Sequence, residues 1–335
     1  MSFPPDPPFR PTEPGLQGGA WPPSGLVRRS APVRAPSGSH YHEQGRNGQG
    51  NRLAWLGELF PVLVVIAMGV LGVSLAGAAM AAVLDAAPPA ERSDDQIFAD
   101  PLADLSVQLA ALAVGVPAVL WGARYLGNRP SGTVSSVVGR LRWGWLCRCA
   151  AVAFPLMALQ IGLLVAWTWD AEPAASGAPE AAFPGWPALV LSLAVLWALV
   201  PFQVAAEEYV FRGWLVQLIG RTVRSPWPGI MVTSLLFALA HGLGELSGFV
   251  LLFYSAMWWG WLVKRTGGLE AVIALHVANN ALAFALAAAL GELANNETAA
   301  DAPWQALVLE LVFAPLYCLV VARIAARRSV DRQTP

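Results

Sequence analysis

Two adjacent glutamates, Glu207 and Glu208, stand inside a long apolar stretch that begins near Pro187, and Arg212 follows. Each such group costs roughly 2.5–3.5 kcal/mol at the centre of a membrane helix. On a helix, Glu208 and Arg212 share a face in the favourable order for an ion pair. Glu207 points about a hundred degrees away. It is predicted to face a cavity, with Gln203 one turn before it on the same face.

Two further apolar segments each carry a histidine. One reads Phe237-x-x-x-His241, and the other reads His276-x-x-Asn279-Asn280, where His276 and Asn280 share a helix face. All three segments reach compatible depths in a bundle. A carboxylate and two imidazoles that face one another can activate water, either directly or through a bound metal ion.

Every one of these residues has a structural alternative. A buried glutamate–arginine pair can join two helices, and a single buried histidine or asparagine can simply hydrogen-bond a neighbouring helix. The conjunction of all three segments in one chain favours a functional site over three unrelated structural contacts.

The composition is that of a membrane protein. The chain has 335 residues, of which 56% are hydrophobic and 13% are charged, whereas about a quarter of the residues in soluble domains are charged. We therefore predict an all-α, polytopic membrane helix bundle of about eight transmembrane helices. The expected spans are 53–83, 103–126, 145–169, 187–219, 229–243, 248–263, 269–290 and 304–324, of which the fifth and sixth are short.

The charged residues predict the orientation of these spans. Basic residues mark the cytoplasmic side, and they occupy the N-terminal tail, every second connection and the C-terminus. Outside the tail they include Arg124, Arg129, Arg140, Arg142, Arg148, Arg221, Arg224, Lys264, Arg265, Arg323, Arg327 and Arg328. The alternate connections carry Asp94, Asp95, Asp100, Asp170, Glu172, Glu180, Glu245, Glu292, Glu297 and Asp301, with Arg92 as the basic exception. Both termini are therefore predicted to be cytoplasmic, in a multi-pass protein of the inner (plasma) membrane.

Three regions follow from this pattern. Residues 1–52, which include His40 and His42, are rich in Pro, Gly, Ser and Arg and predict a disordered cytoplasmic tail. Residues 53–325 form the transmembrane domain, and 326–335 form a short basic cytoplasmic tail. Residues 131–145 are compatible with a surface amphipathic helix or with the end of a span.

Other polar and aromatic residues are expected to have membrane roles. Four carboxylates near span ends are predicted to reach the interface, namely Glu58, Asp104, Glu270 and Glu310. Gln160 is predicted to join two helices, and tryptophans such as Trp258, Trp259 and Trp261 are predicted to face lipid or its interface. The three cysteines form no spaced framework, and no feature indicates a nucleic-acid partner.

The order of the three motifs, Glu-Glu-x-x-x-Arg, Phe-x-x-x-His and His-x-x-x-Asn on separate spans, resembles the CPBP family. This family comprises the CAAX protease and bacteriocin-processing membrane proteins, also called Abi proteins, and includes the type II CAAX prenyl endopeptidases. The resemblance covers residues 206–281 and implies a protease-like core at 187–290.

The resemblance also implies residue roles. Glu207 would be the general base, while Glu208 and Arg212 would pair to support the site. His241 and His276 would bind or polarise the attacking water, or would bind a zinc ion together with Glu207. The residues alone leave metal-dependent and glutamate-only mechanisms open.

In the implied reaction, Asn280 stabilises the oxyanion formed on the scissile carbonyl, and Asn279 is the weaker candidate. The substrate would be a membrane-associated peptide or protein that enters from the cytoplasmic side, within the lipid bilayer. Two alternatives remain open, a non-catalytic immunity or scaffold protein of the same fold and an ion-coupled transporter.

Overall fold

A computed structural model describes residues 31–48, 53–84, 96–169, 182–293 and 298–335. The described residues form helices joined by short connections. The α-helices are α1 (Ala54–Leu84), α2 (Pro101–Ala113), α3 (Gly115–Tyr125), α4 (Trp143–Thr168), α5 (Trp186–Glu208), α6 (Val216–Gly220), α7 (Pro226–Ala240), α8 (Leu246–Thr266), α9 (Glu270–Leu290) and α10 (Trp304–Arg327). A π-helical segment, Tyr209–Leu215, joins α5 to α6.

Within the described ranges, seven helical segments are long and apolar enough to cross a membrane. Pro101–Tyr125 joins α2 to α3, and Trp186–Gly220 runs from α5 to α6 as one segment. The remaining helix, α7, has 15 residues, a length of about 22 Å at 1.5 Å per residue. The predicted all-α, multi-pass architecture is confirmed. The sixth predicted span is longer than expected, since α8 has 21 residues.

The bundle is organised around α9. It is the most buried of the candidate spans, whereas α1 is the least buried and presents most of its apolar side chains outward. In a soluble protein such a helix would be an aggregation hazard, but in a bilayer an apolar outer surface is what lipid requires.

One end of the bundle, which we call the arginine face, contains both described terminal segments. The backbone N–H of Thr334 donates to the carbonyl of Ser39 at 2.9 Å, and the N–H of Gly38 donates to the carbonyl of Thr334 at 2.9 Å. The connections 126–142, 220–226 and 264–270 lie at this same end, as their contacts below show. Both termini are predicted on one side of the membrane, and the described segments around Ser39 and Thr334 do lie on one face.

Residues 32–48, which we call the N-terminal strap, are packed against the bundle. Tyr41 and Gln44 are buried. The Arg46 guanidinium donates to the carbonyls of Gly220 at 2.6 Å and Val223 at 2.7 Å. The prediction of disorder therefore does not hold for this segment. Composition alone could not predict this packing, because the strap contacts α6, which is distant in sequence.

Two carboxylates at the arginine face are buried in ion pairs. Glu58 lies 2.9 Å from Arg129 and 3.1 Å from Arg221, and it also accepts from the Trp214 indole. Glu270 pairs in the same way, as described below. The expectation that these residues reach the membrane interface is wrong, because each finds an arginine that is distant in sequence.

The other two carboxylates are also buried. Asp104 accepts from the backbone N–H groups of Ile97 and Phe98 at 2.7 and 3.1 Å. These bonds hold the segment that precedes α2 against the first turn of that helix. Glu310 accepts from Ser255 at 2.5 Å and from Gln160 at 2.7 Å. The predicted interfacial position is wrong for both, and the prediction that Gln160 joins two helices is confirmed.

Residues 131–145 form neither a surface amphipathic helix nor a simple helix end. A short 3-10 helix, Ser131–Val134, is followed by a turn, and Val134 is fully buried. The Leu269 N–H donates to the Ser135 carbonyl at 3.0 Å. Arg142 then forms a 2.7 Å ion pair with Glu270. This segment closes the bundle at the arginine face instead of lying on the membrane.

The opposite end, which we call the acidic face, contains the turn after α7 and the connection before α10. The Glu245 N–H donates to the Ala300 carbonyl at 2.9 Å, and Ser247 donates to the Ala302 carbonyl at 2.8 Å. Several residues used in the orientation argument lie outside the described residues, namely Arg92, Asp94, Asp95, Asp170, Glu172, Glu180 and Glu297.

Candidate active site

The paired glutamates end α5 where the helix changes its winding. The following turns, Tyr209–Leu215, are π-helical, and they place Arg212 beneath Glu208. Such wide turns occur frequently at functional sites, because they redirect side chains that a regular α-helix would stack.

Glu208 is fully buried and has two partners. One of its carboxylate oxygens lies 3.1 Å from Arg212 Nη1 and 2.8 Å from His276 Nδ1. The predicted pairing with Arg212 is confirmed. The contact with His276 was not predicted, and it fixes the imidazole: an Nδ1–H that donates to the carboxylate directs Nε2 towards Glu207.

Glu207 faces the other way and remains partly exposed, at 14% of its side chain. Its Oε1 accepts from Gln203 Nε2 at 2.6 Å. Its Oε2 lies 3.5 Å from His276 Nε2 and has no hydrogen-bond partner among the described residues. A carboxylate oxygen and an imidazole nitrogen therefore converge at one point with unused hydrogen-bonding capacity.

Two aromatic rings enclose the Arg212 guanidinium. Its central carbon lies 3.8 Å from the Phe237 ring centroid and 4.9 Å from that of Trp259. Stacking on aromatic faces stabilises a desolvated cation by ~2 kcal/mol. The prediction that Trp259 faces lipid is wrong, because Trp259 is buried and contacts both Arg212 and His276.

A chain of side-chain amides leads from α9 to Glu207. Asn279 donates to Asn280 at 3.1 Å, and Asn280 donates to Gln203 at 3.3 Å. Gln203 in turn donates to Glu207. Asn280 is thus connected to Glu207, although the connection runs through Gln203 and is not direct. The i,i+4 spacing of Gln203 and Glu207 was the sequence signal for this link.

His241 lies at the end of α7, where Gly242 adopts a φ of +95° that turns the chain away. Its Nδ1 is 2.9 Å from the Phe237 carbonyl. A carbonyl can only accept, so Nδ1 is the donor in this contact. His241 reaches the cluster through the Phe237 ring, whose centroid is 4.6 Å from that of His241 and 6.0 Å from that of His276.

A cavity of about 720 Å³ lies beside this cluster, and Glu207, Glu208 and Arg212 are not among its lining residues. Its lining includes Gln203, His241, His276, Asn279 and Asn280. Ligand cavities of a few hundred to a thousand Å³ with a few convergent polar groups are typical of binding sites. This one has room for several residues of an extended peptide.

The predicted metal ligands are not assembled into a metal centre. Within the described ranges, no three His, Cys, Asp or Glu side chains lie where they could hold a metal ion. Glu207 and His276 approach each other, whereas His241 stands off beyond the Phe237 ring. The residues present therefore do not fit a three-ligand zinc site, and no step below uses a metal.

The fold and the site define a multi-pass membrane protein with a buried glutamate–histidine–amide cluster beside a cavity. Residues 186–282 match the family model described as "Type II CAAX prenyl endopeptidase Rce1-like". The matched segment contains every residue of the cluster, and the predicted resemblance is confirmed for it. This segment is therefore similar to a family of endopeptidases.

One curated protein is similar over a longer stretch. The chain is 26% identical over 194 residues to "Uncharacterized protein YyaK" of Bacillus subtilis (strain 168), covering 56% of this chain and 62% of that protein. The chain thus spans less than two thirds of the length of this relative. No solved structure matches the chain.

Proposed function

We propose that this protein is an intramembrane endopeptidase that hydrolyses a peptide bond of a membrane-associated peptide or protein. The observation that carries the proposal is the convergence of Glu207 Oε2 and His276 Nε2, 3.5 Å apart, where His276 also lines a cavity of about 720 Å³. Activated water is the reagent that this pair of groups is suited to produce.

In the proposed reaction, a water molecule binds beside Glu207 Oε2 and His276 Nε2. Glu207 takes one proton from the water, and the oxygen forms a bond to the scissile carbonyl carbon. The carbonyl π electrons move to oxygen and give a tetrahedral oxyanion. When the C–N bond breaks, Glu207 returns its proton to the amine, so that one water is consumed and two termini are formed.

The oxyanion is stabilised by groups already in position. The Asn280 amide, oriented by Gln203, offers an N–H, and the His276 ring, held at Nδ1 by Glu208, is the second group beside the developing charge. Preorganised donors of this kind contribute about 3–4 kcal/mol each in known enzymes. Glu208 and Arg212 act indirectly, since they hold His276 in this orientation.

A variant series tests the proposal. Purified protein in liposomes is mixed with membrane-associated peptides of defined sequence, and the products are identified by mass spectrometry. Glu207→Gln, which keeps the size and the Gln203 contact, should reduce cleavage by at least about a thousandfold, because the general base is lost. Glu245→Gln, at an exposed carboxylate that does not line the cavity, is the matched control and should stay close to wild type.

The same samples distinguish the competing explanations. Cleavage by Glu207→Gln at the wild-type rate would overturn the assigned base. Peptide binding without cleavage by any variant would favour an immunity or scaffold role. Metal analysis of active wild-type protein should find no stoichiometric metal, and zinc that is lost with Glu207→Gln would favour direct ligation by the carboxylate.

The proposed setting is the inner (plasma) membrane, with the lipid bilayer as surroundings. The helices support a multi-pass position, and the distribution of arginines supports an orientation with the arginine face in the cytoplasm. The proposed partners are membrane-associated peptides or proteins, and a nucleic-acid partner is not part of the proposal.

A further inference from the structure

The cavity extends from the glutamate–histidine cluster towards one end of the bundle. Its inner end is formed by Gln203, Phe237, Trp259 and His276. Its outer lining includes residues of the connections at the acidic face, namely Gln96, Glu292, Leu293, Thr298 and Ala299. Among these, Glu292, Thr298 and Ala299 are exposed. The cavity therefore reaches the surface at the acidic face, and it is also open between the helices, where the lining residues Gln108, Leu112 and Ala283 are exposed.

The arginine face is closed beneath the cluster. The Tyr41 hydroxyl donates to the Val134 carbonyl, and the Ser135 and Tyr209 hydroxyls are 2.7 Å apart. Val134 and Leu269 are both fully buried. A side chain at Gly213 would meet Val134 at 2.8 Å. None of the cavity-lining residues in the described ranges comes from the connections at this face.

The charge of the lining also has one sign. It includes Asp104, Glu292 and Glu310, and in the described part of the chain it contains no lysine or arginine. A free carboxylate on a bound peptide would therefore find no lysine or arginine partner on the described walls. Complementarity of charge selects against such a group and in favour of neutral or basic residues.

We infer that the substrate reaches the site from the acidic face, which the positive-inside rule assigns to the non-cytoplasmic side. The substrate class is then a peptide segment that emerges on that side of the membrane, with neutral or basic residues beside the scissile bond. This inference rests on the proposed function, and it replaces the expectation of entry from the cytoplasm. The expectation was based on the depth of the three motifs in their helices. The connections that line the opening lie instead at the acidic face.

Thiol labelling tests access without requiring cleavage. The exposed Cys147 is first replaced by alanine, while the buried Cys149 and Cys318 are kept. Ala283→Cys then places a thiol on the cavity wall, and Thr222→Cys places one at an exposed position of the arginine face. Spheroplasts and inside-out vesicles are treated with a cationic and an anionic thiosulfonate reagent, neither of which crosses membranes.

The cavity thiol should react in spheroplasts, whereas the Thr222→Cys thiol should react only in inside-out vesicles. The cationic reagent should label Ala283→Cys several-fold faster than the anionic one, after normalisation to a small free thiol. Labelling of Ala283→Cys only in inside-out vesicles would overturn the access side, as would labelling of Thr222→Cys in spheroplasts. Equal normalised rates for the two reagents would overturn the charge preference.

Adding Glu207→Gln to the Ala283→Cys protein separates this inference from the proposed function. The inactive protein should label from the same side and at the same rate as the active one. If labelling is as expected but no variant ever cleaves a peptide, then the proposed reaction is wrong and the direction of access stands.

Discussion

Buried carboxylates have different partners at the two ends of the bundle. At the arginine face, Glu58 and Glu270 are fully buried and are held by the guanidinium groups of Arg129 and Arg142. Towards the acidic face, Asp104 and Glu310 are held by backbone amides, a hydroxyl and side-chain amides, without a cation from the described part of the chain. The carboxylates at the arginine face are held by ion pairs. Those towards the acidic face accept hydrogen bonds from neutral donors around a cavity.

One fold can therefore combine a rigid end with an accessible one. Ion pairs that link distant segments are costly to break, because each partner left alone is a buried charge. Neutral donors around a cavity leave side chains available to a ligand. Glu207 stands at the boundary, since one of its oxygens is held by Gln203 and the other has no partner in the described ranges.

The largest effect on stability should come from neutralising Glu58. Glu58→Gln keeps an acceptor for Trp214 but leaves Arg129 buried without its counter-charge. We expect a loss of about 3–5 kcal/mol in the free energy of unfolding, measured by thermal or denaturant unfolding in detergent micelles.

Glu310→Gln is the matched change on the other side of the comparison. Glutamine can still accept from Ser255, and its amide can donate to Gln160 Oε1, which has no partner in the described part of the chain. The expected loss is only about 1 kcal/mol. Equal losses in the two variants would contradict the distinction between a charge-locked end and a neutral end.

The sequence predicted the site better than the ends of the bundle. The Glu208–Arg212 pair and the shared face of Gln203 and Glu207 follow from helical spacing alone. The contact between His276 and Glu208 joins α9 to α5, and no local rule predicts which nitrogen meets which oxygen. Burial of Glu58 depends on Arg129 and Arg221, and only the folded chain brings these together.

The helices were predictable to within about three residues at most ends, because long apolar runs admit few alternatives in a bilayer. The N-terminal strap was not. Its Pro-, Gly- and Arg-rich composition is typical of disordered segments, yet Arg46 reaches two carbonyls at the end of α6. Exposed carbonyls at a helix end form a binding site that composition cannot reveal.

A smaller effect should follow from blocking the contact between the strap and α6. A side chain at Gly220 would collide with the carbonyl of His42. Gly220→Ala should therefore displace the strap and lower the unfolding free energy by about 1–3 kcal/mol. Limited proteolysis should then cut within residues 32–48 much faster than in wild type.

Gly57→Ala is the control for that change, since a side chain at Gly57 meets nothing within 4 Å. Alanine in a helix is favoured over glycine by about 1 kcal/mol, so this variant should be as stable as wild type or more stable. If Gly220→Ala leaves the strap protected, the close approach of the strap to α6 does not stabilise the arginine face.

The smallest expected effect is a pH dependence of the strap. His42 is buried, and its Nε2 lies 2.9 Å from the Arg224 carbonyl, whereas its Nδ1 is buried without a partner in the described residues. Burial lowers the pKa of His42 below its ordinary value, against the opposing influence of the Arg224 carbonyl and of Glu43; nearby His40 and Arg46 lower it further. Protonation would place a charge at Nδ1 with no acceptor.

A lowered pKa in the folded state means that the unfolded or undocked strap binds the extra proton more readily. The contribution of neutral His42 is therefore complete above the ordinary histidine pKa of 6.5, and it is lost as the pH falls below that value. Hydrogen exchange of residues 39–48, corrected for intrinsic rates, should show less protection at pH 5.5 than at pH 7.5. His42→Gln should abolish this dependence because glutamine does not titrate, whereas His40→Gln should retain it. A pH dependence that survives in His42→Gln would assign the effect to another group and would remove His42 from the interactions that close the arginine face.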